Sequence, residues 1–79
     1  MTHETRLVFA YDGPEVASTV ERAVSREAGD IEGDRTRANV ERADDAVAVT
    51  VEADDLTALR AGINTWMSLV GVAEDVAGQ

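Results

Sequence analysis

Residues 54–70 limit the fold more than any other stretch of this sequence. They read Asp54-Asp55-Leu56-Thr57-Ala58-Leu59-Arg60-Ala61-Gly62-Ile63-Asn64-Thr65-Trp66-Met67-Ser68-Leu69-Val70. At about 100° per residue, Leu56, Leu59, Ile63, Trp66, Met67 and Val70 fall on one apolar stripe, the pattern of a long amphipathic helix. The two aspartates are placed to cap its start and to complement the positive end of the helix dipole. Leu69, Ala73 and Val76 lie beside the stripe and widen the apolar arc to roughly 180°, where a helix covering one sheet needs about 100°. Such a helix has more apolar surface than its own domain can cover.

A chain of 79 residues forms a single domain. At this size only about 60% of the surface exposed by the unfolded chain is buried, so stability is marginal without help. Disulfides, a metal or association normally supply it. There is no cysteine and only one histidine, His3, near the N-terminus. Disulfides, thiolate sites and histidine-rich metal sites are thereby excluded, and association remains. No apolar run approaches the roughly 18–20 residues of a membrane span, and no signal-peptide pattern opens the chain. A soluble, cytoplasmic protein with no membrane partner is expected.

Sixteen acidic residues face seven basic ones, a formal net charge of −9, and every basic residue is arginine. A lysine-free acidic surface resembles that of proteins from salt-loving archaea, where carboxylates keep the chain in solution and salt screens their repulsion. Acidity of that origin says little about partners. Strong nucleic-acid binding by the isolated domain is not expected, because such affinity comes mainly from cations on phosphates.

Taken in order, residues 1–4 form a polar start expected to fray. Residues 5–11 alternate as a strand, with Leu7, Phe9 and Tyr11 on one face. Asp12-Gly13-Pro14 ends it, and Pro14 suits the first turn of a helix running to about Ala28. Val16, Val20, Ala23 and Val24 supply that helix's stripe, and Gly29 is placed as its C-cap. Residues 30–34 read as an acidic loop without the ligand spacing of a calcium-binding loop. Residues 35–42 and 46–52 read as two strands joined at Asp44-Asp45 into a hairpin. The long helix then runs to about Ala77, with Gly71 as a weak point. A right-handed crossover followed by a hairpin return puts the third strand in the middle. The expected fold is α+β: a three-stranded antiparallel sheet in the order β-α-β-β-α, with two helices on one face and open outer strands.

Enzyme chemistry finds little footing. The sequence has no cysteine, no lysine and no phosphate-binding glycine motif, and its serines lack a visible base. Paired carboxylates sit where turns and caps use them. No catalytic residue, cofactor or metal is expected. Arg60 and Asn64 stand four apart at the stripe's edge. They either pack along the core rim with polar ends in water or face a partner. Gly62, costly in a helix by about 1 kcal/mol, suggests close approach of another backbone. Trp66 suits the core and an interface anchor equally.

The run Val51-Glu52-Ala53-Asp54-Asp55-Leu56-Thr57-Ala58-Leu59-Arg60-Ala61-Gly62-Ile63-Asn64 resembles the second-helix signature of the CTAG/Pcc family: an aspartate at the helix start, then Leu-Arg-Ala, then an asparagine one turn on. Asp12-Gly13-Pro14-Glu15, followed by Ala17, Val20 and Val24, fits the family's first half more loosely. The likeness covers nearly the whole chain. It implies a non-catalytic subunit of KEOPS, the assembly that makes threonylcarbamoyladenosine in tRNA. It further implies a homodimer that docks its helices on the catalytic threonylcarbamoyl transferase and engages tRNA indirectly, within the complex. On that reading Trp66, Leu69, Ala73 and Val76 supply the docking surface, with Arg60 and Asn64 as further partner-binding candidates. The alternative is a stand-alone RNA-binding module of similar layout, for which Arg35, Arg37 and Arg42 cluster near one strand but few aromatics are available.

Overall fold

A computed structural model describes residues 2–31 and 36–78, with the backbone alone over 27–31. The elements are β1 His3–Ala10, α1 Pro14–Ile31, β2 Thr36–Ala43, β3 Ala46–Ala53 and α2 Leu56–Val76. They form the expected three-stranded antiparallel sheet in the order β1-β3-β2. Leu7 and Val40 both pair with Val49, and Ala38 pairs with Val51. The period of two therefore sends Val47, Val49 and Val51 to one face. There they pack with Ala17, Val20 and Val24 of α1 and with Trp66, Val70 and Ala73 of α2, so both helices cover the same side.

The hairpin turns on two residues. Asp44 takes φ +54°, a left-handed conformation that aspartate tolerates better than most side chains. Its carbonyl accepts a hydrogen bond from Arg42 Nη1 at 3.0 Å. The Tyr11 N–H donates to the Asp45 carbonyl at 2.8 Å and ties the end of β1 to this turn. Asp55, not Asp54, caps α2. Its backbone is extended, and its Oδ1 accepts from the Ala58 N–H at 2.8 Å, a contact worth about 1 kcal/mol.

Several boundaries differ from the sequence reading. β1 starts at His3, because β3 extends far enough for His3 to pair with Ala53. His3 and Glu4 are thus sheet residues and not a frayed tail. α1 continues through Gly29 to Ile31, so Gly29 is not a cap; a single helical glycine costs about 1 kcal/mol and does not by itself end a helix. α2 likewise passes through Gly71 unbroken. Asp30 and Ile31 belong to α1, and the remainder of the acidic loop, together with Arg35, lies outside the described residues.

The stripe of α2 is rotated from the one expected. Ala58, Trp66, Val70 and Ala73 are its buried residues, whereas Leu56 and Met67 are more than half exposed. Gly62 shows why. A Cβ there would stand 3.0 Å from Val51 Cγ1, so α2 lies close upon β3. The close approach is by a side chain of the chain's own sheet, not by another backbone.

Candidate docking surface

The two helices leave an apolar groove between them on the side away from the sheet. Ala23, Val24 and Arg26 of α1 form one wall; Leu69, Val72, Ala73 and Val76 of α2 form the other, around a cleft of about 270 Å³. Val72 is 62% exposed and Val76 74%. The spacing of Leu69, Val72 and Val76 puts them on one flank of the helix, facing α1. Arg26 is the only charged side chain in the lining. The wall of this groove is therefore apolar in a chain whose surface is otherwise acidic.

The six candidate residues separate into three places. Trp66 is 2% exposed and Ala73 3%. Both belong to the core, where Trp66 packs with Val47, Val49 and Val51. Ala73 reaches the groove only as its floor. Leu69, half-buried, and Val76 line the groove itself. Arg60 and Asn64 are exposed, and at 3.6 residues per turn they stand on the far side of α2 from the groove. Val72 was absent from the sequence expectation. Its spacing of three and four from Leu69 and Val76 was the available signal.

A second cleft, of about 250 Å³, lies between α2 and β2. Thr36, Ala38, Val51, Gly62 and Trp66 are among its lining residues. No group of three or more histidine, aspartate or glutamate side chains comes together among the described residues. No described helix is long and apolar enough to cross a membrane.

The groove end of α2 is anchored to the sheet by one polar contact. Tyr11 Oη donates to Glu74 Oε2 at 2.8 Å. Burial pushes the Tyr11 phenol up, and the hydrogen bond and negative charge of Glu74 push it further in the same direction. Stability drawn from this shift is fully present below the ordinary phenol value near 10. It is lost as pH rises beyond that value towards the raised one. Tyr11→Phe is expected to cost about 1–2 kcal/mol at neutral pH and to flatten the stability loss above about pH 10. Denaturant midpoints of both proteins across that range test this. Parallel declines would contradict it.

No curated protein matches the chain. A family model described as "Transcription factor Pcc1" matches residues 4–78. That match covers all five elements, including the capped helix that carries the Leu-Arg-Ala run and Asn64. With nearly the full length accounted for, the chain belongs to the Pcc1 family, a family of KEOPS subunits.

Proposed function

We propose that this chain is the non-catalytic scaffold and dimerisation subunit of KEOPS. On this reading it supports threonylcarbamoyladenosine modification of tRNA in the cytoplasm by docking the catalytic transferase subunit. The observation that carries the reading is the α1–α2 groove, in which Val72 and Val76 stay open to solvent beside Ala23 and the half-buried Leu69. Contiguous exposed apolar residues rimmed by polar ones mark interaction surfaces. Helices that pack an apolar face into such a groove do so through anchors spaced three and four apart. A helical segment of the transferase is the occupant that fits. tRNA is engaged through the assembly, since a domain of net charge −9 brings little attraction for phosphate. The lysine-free acidic surface suits an archaeal cytoplasm of high salt, where screening removes most of the self-repulsion.

The test is reconstituted tRNA threonylcarbamoylation. Omitting this subunit should lower the product formed by the remaining subunits at least tenfold, and adding it back should restore the rate. An unchanged rate without it would overturn the scaffold role.

A further inference from the structure

The helix layer is wider than the sheet beneath it. Two packed helices span about 20 Å with their side chains, whereas three strands at a spacing of about 4.8 Å span roughly 14 Å. The difference is about one further strand, and the chain leaves it beside β1. On one flank of α2, Ala58, Ala61 and Thr65 border the cleft with β2. The opposite flank therefore leans over β1, and Glu74 on that flank accepts the Tyr11 hydrogen bond. Leu56, Ile63 and Met67 share this flank at spacings of seven and four. Leu56 is 56% exposed and Met67 54%. Below them Thr5, Leu7 and Phe9 of β1 are only half-buried.

We infer that this shelf is a strand-addition site: an extended segment of a partner protein pairs with β1 and tucks alternate apolar side chains under Leu56, Ile63 and Met67. The backbone selects an extended occupant. Among the described residues β1 pairs with β3 alone, so the N–H and C=O groups along its other side have no strand partner. A peptide in the β conformation satisfies such a row while its side chains fill alternate pockets. A helix laid on the shelf would shut water from that row without pairing it, which is costly. The other edge is a poorer acceptor. α1 closes over β2, where Arg42 reaches Glu21 at 3.7 Å, and the inward residues Thr36, Ala38 and Val40 are smaller than Leu7 and Phe9.

Charge narrows the occupant further. Arg6 on β1 and Arg60 on the outer flank of α2 are exposed and have no acidic partner among the described residues. Glu4 and Asp54 mark the end of the shelf where His3 pairs with Ala53. In a chain of net charge −9, two free cations at one edge favour a segment that carries a carboxylate between its apolar residues, opposite Arg6. The shelf lies on the side of α2 away from the α1–α2 groove, so the inference stands apart from the transferase reading.

The probe is a fluorescein-labelled peptide, Ser-Val-Thr-Val-Glu-Val-Thr-Val-Ser, titrated with the full chain. Its anisotropy should rise to saturation, and amide hydrogen exchange in β1 should slow when it is bound. The same peptide N-methylated along its length cannot donate to β1 and should bind at least tenfold more weakly. Leu56→Glu/Met67→Glu should weaken the unmodified peptide at least tenfold as well. Both positions are exposed and glutamate is a good helix former, so this variant should keep the wild-type circular dichroism. A wild type that leaves the peptide unbound overturns the inference. So does equal binding by the folded double variant or by the methylated peptide, or slowed exchange confined to β2. A wild type that ignores the peptide and self-associates until Leu56→Glu/Met67→Glu makes it monomeric would give the shelf to a second copy of this chain, and that also overturns the inference.

Discussion

Trp66→Ala should remove about 3–5 kcal/mol of folding stability, the range for truncating a large aromatic in a packed core. Trp66 is 2% exposed among the β3 valines and the buried residues of α1. It also borders the cleft between α2 and β2, so truncation joins the new void to one already open to solvent. At about 0.05–0.15 kcal/mol per residue, a domain of 79 residues has roughly 4–12 kcal/mol to lose. The variant should therefore be partly or wholly unfolded at 37 °C, with its urea midpoint shifted far to lower concentration. Circular dichroism is the appropriate probe, because the substitution removes the sole tryptophan. A loss below about 1 kcal/mol, the scale of an exposed substitution, would show that Trp66 is not the packed residue its burial indicates.

The same burial explains where sequence reasoning held and where it slipped. Element order, sheet order and the valine face of β3 follow from a period of two and from connection rules, and these are insensitive to side-chain size. The rotation of α2 is sensitive to it. Pattern reading favours the largest apolar residues, which selects Leu56 and Met67. A helix lying close on a sheet instead turns its smallest residues inward. Ala58, Gly62 and Ala73 face the sheet, with Gly62 3.0 Å from Val51 at the position of a missing Cβ. Leu56 sits in the first turn and Met67 on a flank, and both stay exposed. The apolar groove proposed for docking was legible in part for the same reason. Excess apolar width was visible, but the helix wheel could not show that Ala73 belongs to the floor and Val72 to the rim.

That distinction decides how docking is to be tested. Ala73→Asp would put a carboxylate into a position 3% exposed, and the domain would unfold for want of a partner for the buried charge. Val72 and Val76 reach out from the groove, so their substitution separates docking from folding. Valine and aspartate have similar helix propensities. Two added negative charges near the C-terminal end of α2 cost about 0.3–1 kcal/mol each through the helix dipole, less in high salt. Val72→Asp/Val76→Asp should therefore fold. In a complex, however, both carboxylates would be desolvated against apolar side chains, at about 1–3 kcal/mol each on the scale of protein substitutions. Affinity for a partner seated in the groove should fall at least 100-fold, which is about 2.7 kcal/mol.

The measurement to make is calorimetric titration of the catalytic threonylcarbamoyl transferase subunit with the wild type and with Val72→Asp/Val76→Asp, at salt high enough to screen the chain's charge. Circular dichroism on the same samples reports whether each is folded. Saturable binding by the wild type, lost by a folded double variant, is the predicted result. Equal binding by both, or a wild type that does not bind the transferase, would contradict the assignment of the α1–α2 groove as the docking surface.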